Sequence, residues 1–251
     1  MIRIFLPAYN EEAALGPLVD KFAAALKRMG RHYEIVVLDD GSSDHTVETA
    51  RQLSLKYPLT LLEHPKNLGL GLTMRDGFEH LAAKSADEDV IVTMDCDDTH
   101  DPQYLASAVR KLEGGYDVVI LSRYQEGGGE KGLSGLKSFL SRGAGAFLRV
   151  FFPIHGVREY SCGYRVFRAG PLKRAMRRFG RDFVRLPRWG FVVTPEILIK
   201  MRMAGCRIAE VPFVLRYDQK AGRSKNRPLK TIAGYFALVA LYWGRRAPET
   251  T

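Results

Sequence analysis

Residues 90–97 read Val-Ile-Val-Thr-Met-Asp-Cys-Asp, an apolar run that ends in two carboxylates one residue apart. An unbroken apolar and β-branched run favours a buried strand, so Asp95 and Asp97 are expected at its carboxyl end. Hard cations such as Mg²⁺ and Mn²⁺ prefer oxygen ligands and are often shared with substrate phosphates. The stretch therefore indicates a metal and diphosphate site. A turn capped by Asp95, with Asp97 and Asp98 in solvent, explains the same residues, and the pair alone does not decide.

The first half of the chain alternates short strand-like runs with helical stretches. The strand candidates are Ile2–Pro7, Glu34–Asp39, Leu59–Leu62, Val90–Asp95 and Asp117–Leu121. Apolar spacing or helix-start residues mark the helix candidates Glu11–Met29, Ser43–Leu53 and Pro102–Leu112. This alternation predicts an α/β fold, in which a parallel sheet is covered by helices on both faces.

Polar residues follow three of these strands. Ligands of open α/β sheets bind beyond the carboxyl ends of the strands, where this chain has segments 7–11 (Pro-Ala-Tyr-Asn-Glu), 39–42 (Asp-Asp-Gly-Ser) and 95–97. The carboxylates of Asp39 and Asp40 are suited to accept hydrogen bonds from a base or a ribose. A turn explains segment 39–42 almost as well, but three such ends on one edge favour nucleotide binding.

The net charge of +10 is unevenly distributed along the chain. Residues 1–120 contain 12 Lys and Arg against 20 Asp and Glu, and residues 121–251 contain 26 against 8, so the halves carry −8 and +18. A basic half suits nucleic acid, an anionic membrane surface or a phosphorylated small molecule. No basic and aromatic pattern typical of a nucleic-acid-binding module is present, which disfavours nucleic acid.

Several protein classes are disfavoured by what the chain lacks. Its three cysteines are widely spaced, which fits neither a disulfide framework nor a zinc cluster and favours a reducing, cytoplasmic setting. No charged and apolar leader opens the sequence, so secretion is not expected. Gly69-Leu70-Gly71 is followed by Met74 where a dinucleotide fingerprint needs a third glycine. Phosphate-loop and nucleophile-elbow motifs are also missing.

Eight short motifs together carry a resemblance to a known family. In order, they are 7–11 (PAYNE), 39–42 (DDGS), 67–69 (NLG), 95–97 (DCD), 122–124 (SRY), 161–165 (SCGYR), 210–212 (EVP) and 222–225 (GRSK). This series, which spans about nine-tenths of the chain, resembles family 2 of the inverting GT-A glycosyltransferases. Within that family it is most similar to the polyprenyl-phosphate sugar synthases, which include the dolichyl-phosphate mannose synthases.

The resemblance implies roles for residues at the acidic strand ends. It implies that the nucleotide is held by Pro7, Ala8, Tyr9, Glu11, Asp39, Asp40 and Asp95. It implies Asp95, Asp97 and Arg123 as catalytic residues. Asp97 and Thr99 are the implied ligands of a Mg²⁺ or Mn²⁺ cofactor, with Thr99 standing where the family commonly has Gln.

The resemblance also implies two phosphate sites in the basic half. Arg123, Lys137 and Ser141 are expected to contact the acceptor phosphate. Lys137 stands where an arginine is usual and supplies charge without a bidentate fork, and Arg142 is an alternative cation.

For the donor diphosphate, the expected contacts are Lys220 and Lys225. Gln219 occupies a position where the family tends to have arginine, so either Lys220 or Arg216 is expected to take over that contact.

Two apolar segments are candidates for membrane contact. Residues 232–243 are twelve consecutive apolar or glycine residues with basic flanks, too short to span a bilayer, which takes about twenty residues. The segment therefore lies at a membrane interface or docks on the protein as a core helix. Residues 143–153 are the second candidate, with a core helix again as the alternative. Residues 126–134, rich in glycine, are expected to form a loop, either a lid or a linker.

These expectations combine into one function. Residues 1–225 are expected to form the GT-A catalytic domain and residues 226–251 a C-terminal helix at a cytoplasmic membrane face. The expected reaction moves a hexose, with mannose from GDP-mannose favoured, to a polyprenyl or dolichyl phosphate. The alternative uses UDP-glucose or another nucleotide sugar with a different lipid, saccharide or protein acceptor. A hydroxyl acceptor requires a general base, for which Glu159 is the candidate.

Overall fold

The computed structural model describes residues 1–220 and 228–245. In this part of the chain, one sheet has seven strands in the spatial order Leu59–Glu63 (β3), Tyr33–Asp39 (β2), Ile2–Ala8 (β1), Val90–Thr93 (β4), Arg165–Arg168 (β7), Val118–Ser122 (β5) and Ile208–Pro212 (β8). A two-stranded parallel sheet pairs Gly129–Lys131 (β6) with Val214–Arg216 (β9).

Helices flank the main sheet. They are Glu12–Met29 (α1), Thr46–Ser54 (α2), Leu70–Lys84 (α3), Leu105–Glu113 (α4), Gly135–Phe151 (α5), Ala169–Phe179 (α6), Val193–Met203 (α7) and Pro228–Tyr242 (α8). Short 3₁₀ segments cover Pro102–Tyr104, Gly180–Val184, Pro187–Val192 and Tyr217–Gln219. The expected α/β architecture is confirmed.

Burial explains why the central strands form where they do. Ile4, Phe5 and Leu6 of β1 are fully buried, as expected for a strand covered by helices on both faces. The adjacent α1 buries Leu15, Phe22 and other residues of one face, and it ends at Gly30, whose φ of 62° lies in the left-handed region that glycine tolerates.

Two expectations about the sheets are wrong. The main sheet is mixed, because β7 runs antiparallel to both β4 and β5, whereas the alternation predicted parallel strands only. The expected loop at residues 126–134 contains β6, which is held in place by pairing with β9. Both strands are short, and partners distant in sequence determine their pairing, so no local pattern reveals them.

The C-terminal helix α8 packs on the catalytic fold along one face. Tyr235, Leu238 and Tyr242 are buried, and the Tyr242 hydroxyl donates a hydrogen bond to Glu196 Oε1 of α7 at 2.7 Å. The boundary expected at 225/226 falls within residues 221–227, which lie outside the described part of the chain. Among the helices of the described residues, none is both long and apolar enough to cross a bilayer.

Candidate active site at the carboxyl edge of the sheet

The strand β4 places the paired carboxylates at the sheet edge. β4 ends at Thr93, whose hydroxyl donates to the carbonyl oxygen of Gly163 at 2.8 Å. This contact and the pairing of β7 with β4 bring Gly163 beside Asp95. A Cβ atom on Gly163 would lie 2.8 Å from Asp95 Oδ1, closer than carbon and oxygen normally approach. Glycine at this position therefore leaves room for the Asp95 carboxylate.

Asp97 is oriented by two neighbours. Thr99 donates to Asp97 Oδ1 through its hydroxyl at 2.6 Å and through its backbone N–H at 3.2 Å. Lys220 forms an ion pair with the other oxygen, Asp97 Oδ2. The buried Thr99 hydroxyl is thus engaged with Asp97 itself, so the structure gives Thr99 an orienting role, while its expected role as a metal ligand stays a prediction.

The two carboxyl groups differ in their affinity for protons. Burial, together with the nearby charge of Asp97, raises the pKa of Asp95 to about 7. Burial would also raise the pKa of Asp97, but the electrostatic influence of His100, followed by the charge of Lys220 and the hydrogen bonds from Lys220 and Thr99, outweighs it and lowers that pKa. The charge of Asp97 is matched by Lys220, whereas the protein does not offset the burial and the repulsion that act on Asp95. A bound cation would relieve both effects on Asp95.

The donor set suits a divalent metal that is shared with a ligand. Within the described residues, no group of three or more His, Cys, Asp or Glu side chains converges to hold a metal. Mg²⁺ is commonly bound by one or two carboxylates, with substrate phosphates and waters completing its coordination. Asp95 and Asp97 therefore fit a cation that binds together with a diphosphate.

Asp39 offers an unpaired acceptor at the end of β2. Its Oδ2 accepts the backbone N–H of Ser42 at 2.9 Å. Its Oδ1 is buried and has no hydrogen-bond partner among the described residues. Because buried polar atoms are nearly always satisfied, this oxygen is suited to accept an N–H or O–H from a ligand.

The neighbouring Asp40 is occupied by the protein. Its Oδ1 lies 2.8 Å from His64 Nδ1 and accepts the N–H of Leu68, and its Oδ2 accepts the N–H of Gly69 at 2.8 Å. Gly69 has a φ of 92° and immediately precedes α3. Asp40 therefore fixes the loop that leads into α3, a role that the sequence did not reveal.

The segment after β1 lies next to Asp39. The N–H of Asp40 donates to the carbonyl of Ala8 at 2.8 Å, and the N–H of Glu11 donates to the Thr46 hydroxyl at 2.8 Å. Pro7 and Asp95 line the same small cavity. The structure therefore brings the expected nucleotide-binding residues of the strands β1, β2 and β4 to one edge.

Arg123 is paired with carboxylates within the protein. Its Nε and Nη2 donate to the two oxygens of Glu159 at 2.7 and 3.0 Å, and its Nη1 donates to Glu130 at 3.1 Å. Burial would lower the pKa of Arg123, but the charge of Glu159 outweighs it and raises that pKa. Two carboxylates therefore match the charge of Arg123 in this structure, and its expected contact with the acceptor phosphate stays a prediction.

Glu159 is equally unsuited to the role of general base. It is fully buried. Burial would raise its pKa, but the Arg123 charge and several hydrogen bonds lower it. The pairing with Arg123 joins residues 36 positions apart, so spacing in the sequence gave no sign of it.

Lys137 and Ser141 lie one turn apart on α5. Ser141 Oγ is 3.4 Å from Arg123 Nη2 and 3.0 Å from the Tyr124 hydroxyl. The Lys137 ammonium is 4.9 Å from the ring centre of Tyr217, and Lys220 contacts the same ring at 5.9 Å. Tyr217, which sequence reasoning missed, thus links the expected acceptor lysine to the expected donor lysine. Lys225 lies outside the described residues.

The comparisons with known proteins show the family of this chain and its fold. The chain belongs to glycosyl transferase family 2, whose sequence model matches residues 3–175. A dolichol-phosphate mannosyltransferase of Pyrococcus furiosus is 33% identical over 235 residues, covering 93% of this chain and 61% of that protein. The dolichyl-phosphate beta-glucosyltransferase ALG5C of Trichomonas vaginalis is 28% identical over 219 residues, covering 82% of this chain and 61% of that protein. The chain thus spans about three-fifths of the length of these curated relatives.

Solved structures share the fold. Glucosyl-3-phosphoglycerate synthase from Mycobacterium tuberculosis, crystallised with Mn²⁺, UDP and phosphoglyceric acid, aligns with a TM-score of 0.64 at 23% identity, over 96% of this chain and 76% of that one. A complex of the same enzyme with Mn²⁺, UDP-glucose and phosphoglyceric acid aligns with a TM-score of 0.66 at 21% identity, over 96% of this chain and 80% of that one. The GT-A fold expected from the motifs is confirmed.

Proposed function

We propose that this protein transfers a hexosyl group from a nucleotide diphosphate sugar to the phosphate of a polyprenyl lipid, with inversion at the anomeric carbon. The observation that carries the proposal is the edge formed by Asp39, Asp95 and Asp97, where an unpaired buried acceptor lies in the same sheet edge as two closely spaced carboxylates. Family membership supports glycosyl transfer.

The donor is assigned to this edge, which is formed by Asp39, Asp95 and Asp97 and is called the donor edge. Asp39 accepts a hydrogen bond from the base or ribose, and Pro7, Ala8, Tyr9 and Glu11 form the adjoining wall. We assign Asp40 to loop positioning, since its carboxylate is already used by His64, Leu68 and Gly69.

The diphosphate binds at Asp95 and Asp97 with Mg²⁺ or Mn²⁺. When bound, the divalent cation supplies positive charge to the departing nucleoside diphosphate. Asp97 contributes a carboxylate that Thr99 holds in place. Lys220, the cation next to Asp97 in this structure, contributes an ammonium group that is also able to bind a phosphate oxygen.

The acceptor approaches from the side of α5. A phosphate monoester oxygen is anionic near neutral pH, so it attacks the anomeric carbon without a strong general base, and the bond to the nucleoside diphosphate breaks as the new bond forms. Lys137 and Ser141 contact this phosphate. Arg123 acts indirectly, because it pairs with Glu159 and contacts Ser141. Lys137 and Ser141, together with the Arg123–Glu159 pair behind them, are called the acceptor wall.

An apolar face supports binding at a membrane surface. Of the ten large apolar side chains that are exposed among the described residues, eight lie on α5, on α8 or directly after α8: Leu136, Phe139, Leu140, Val150, Leu229, Ile232, Phe236 and Trp243. The two helices contact each other, with the rings of Phe147 and Phe236 5.1 Å apart. A lipid acceptor makes a membrane the natural partner of this face.

A transfer assay with paired donors tests the proposal. The protein is incubated with GDP-mannose or UDP-glucose and a short-chain polyprenyl phosphate, with Mn²⁺ or with a chelator, and the lipid product is quantified. We expect metal-dependent formation of a polyprenyl-phosphate hexose, and we favour GDP-mannose because the mannosyltransferase named above is 33% identical over 93% of this chain. UDP-glucose is the matched alternative, since similar proteins include a glucosyltransferase. Transfer to the dephosphorylated polyprenol, or only hydrolysis of either donor, would refute the proposal.

A further inference from the structure

A second cavity, lined by basic residues, lies beside the acceptor wall. It has a volume of about 450 Å³ and opens between α5 and the segment that follows β5. Three arginines with exposed side chains line it, Arg142 and Arg149 from α5 and Arg158 from the segment before β7. Gly145 lies between the two α5 arginines and leaves the space open.

The charge of these arginines is not matched within the described residues. Arg123 also lines the cavity, but Glu159 and Glu130 neutralise it. No ion pair among the described residues joins Arg142, Arg149 or Arg158 to a carboxylate; Arg158 donates to the carbonyl oxygen of Tyr124 at 3.2 Å. Three guanidinium groups around one cavity attract an anion, and their planar donor forks match the oxygens of a phosphate group.

The cavity borders the apolar face of α5. Residues three or four positions apart are neighbours on the surface of a helix. On α5, Arg142 is therefore next to Phe139, and Ala146 is next to both Arg142 and Val150, so arginines and exposed apolar residues share one strip of the helix. Phe139 and Val150 are 74% and 75% exposed. An apolar stripe edged by arginines is the pattern of a helix that lies at the boundary between acyl chains and head groups.

We infer that Arg142, Arg149 and Arg158 form a binding site for the phosphate head group of an anionic membrane phospholipid, whose acyl chains lie along the apolar face of α5. The site is separate from the donor edge, because it contains no residue assigned to the nucleotide or the metal. It adjoins the acceptor side, with which it shares the neutralised Arg123 and Arg142, the alternative acceptor cation. It rests on the proposed function only in placing the protein at a membrane. It anchors the protein where a lipid acceptor is found.

Vesicle binding tests the inference without any nucleotide sugar. Co-sedimentation of the full chain is compared on phosphatidylcholine vesicles and on vesicles that contain about one-fifth phosphatidic acid, which adds a head-group phosphate and surface charge. We expect phosphatidic acid to strengthen wild-type binding, and the double variant Arg142→Ala/Arg149→Ala to lose about tenfold or more of that binding. Because no transfer is measured, failure here leaves the proposed function standing, and failure of the transfer assay leaves this result standing.

Two further variants separate a built site from general electrostatic attraction. Arg177→Ala/Arg181→Ala removes the same charge at exposed positions on or next to α6, and we expect it to bind within about threefold of wild type. Gly145→Leu fills the cavity but keeps every arginine, and it should lose binding as the double arginine variant does. Gly145→Ala is its folding control, since a Cβ there lies 3.8 Å from the Arg158 carbonyl oxygen, an ordinary contact. Thermal unfolding of each variant confirms that it is folded.

Three results would overturn the inference. The first is equal loss of binding in the Arg177→Ala/Arg181→Ala protein, which would show attraction by net charge. The second is wild-type binding by folded Gly145→Leu, which would show that the cavity is not used. The third is complete release of the wild type by inorganic phosphate at a concentration equal to that of the lipid head groups, which would show a site for free phosphate.

Discussion

The donor edge and the acceptor wall handle buried charge in opposite ways. At the donor edge, negative charge exceeds what the protein neutralises: Asp39 keeps an unpaired buried oxygen, and the pKa of Asp95 is raised to about 7 by burial and by Asp97. At the acceptor wall, buried charge is matched, since Arg123 is paired with Glu159 and Glu130. Near the acceptor wall, the basic side chains that have no carboxylate partner among the described residues lie at the surface.

This difference bears on how one site would accept the two anionic substrates of the proposed reaction. Unsatisfied acceptors and carboxylates at the donor edge are completed by a nucleotide and a cation, so the edge is ready for its ligand in advance. At the acceptor wall, the charges of the buried Arg123–Glu159 pair are matched without a ligand, so this pair keeps the wall in shape. Exposed lysines and arginines around it supply attraction at little desolvation cost.

The largest effect is expected from the donor edge. Asp97→Asn removes a negative charge from the proposed metal site, and we expect turnover to fall about 10³-fold or more, because the leaving diphosphate loses its stabilisation. The measurement is kcat for hexosyl transfer, together with the rise in melting temperature on adding nucleoside diphosphate and Mn²⁺. Both signals should be lost.

Asp98→Asn is the matched control. Asp98 is one position away but pairs with Lys21 at 2.7 Å, and its φ of 57° is one that asparagine tolerates. We expect its turnover to stay within about threefold of wild type. If Asp97→Asn and Asp98→Asn lowered turnover equally, the effect would come from the loss of negative charge in this loop, and the proposed metal site at Asp97 would be contradicted.

The second effect tests whether the Arg123 ion pair is structural. Glu159→Gln leaves a buried guanidinium with one carboxylate fewer, and we expect the free energy of unfolding to fall by about 3 kcal/mol. Denaturant unfolding measures the loss. Glu113→Gln is the control, because its pair with Arg31 is about half exposed on both sides and should cost less than about 1 kcal/mol.

The same pair predicts a pH dependence. Although burial alone would raise the pKa of Glu159, Arg123 holds it below its ordinary value. The ionised group therefore contributes stability above the ordinary glutamate range and loses it as the pH falls through the lowered pKa. The stability difference between wild type and Glu159→Gln should shrink in acid. A difference that stays constant from neutral to acidic pH would contradict the role of the ionised pair.

The third effect concerns the exposed cations. Lys137→Ala should raise the KM for polyprenyl phosphate about tenfold, with kcat and nucleotide affinity changed little, because one charge-assisted contact is lost. Lys131→Ala removes an equally exposed lysine of β6 and serves as control. If Lys137→Ala instead weakened nucleotide binding, Lys137 would belong to the donor site through its contact with Tyr217.

The sequence predicted the donor edge better than the acceptor wall, for a physical reason. The strands β1, β2 and β4 each contain an apolar run followed by the functional residues, so local pattern alone located them. β7 has four residues and pairs against the direction of its neighbours, and its place depends on contacts that form only in the folded chain.

Side-chain pairing was the other part that the sequence did not reveal. Arg123 reaches Glu159 across 36 positions, and motif resemblance suggested a substrate contact for the same arginine. Asp39 and Asp40 are adjacent and chemically identical, yet one oxygen of Asp39 has no partner among the described residues, whereas both oxygens of Asp40 accept hydrogen bonds. Only the geometry of the folded loop separates their roles.

The smallest effect tests how α8 is held against the acceptor side. Tyr242→Phe removes the hydroxyl that donates to the buried Glu196, while Glu196 keeps the N–H groups of Arg185 and Leu186. The expected cost is about 1 kcal/mol in unfolding free energy, the usual value for one such hydrogen bond. Hydrogen exchange should also rise in α8 more than in β4, because the bond joins that helix to the fold. Tyr33→Phe, a partly exposed tyrosine at the start of β2, should leave exchange in α8 unchanged. If Tyr242→Phe lowered the unfolding free energy but exchange in α8 rose no more than in β4, this helix would unfold together with the donor edge. The donor edge and the acceptor side would then differ in charge but not in local stability.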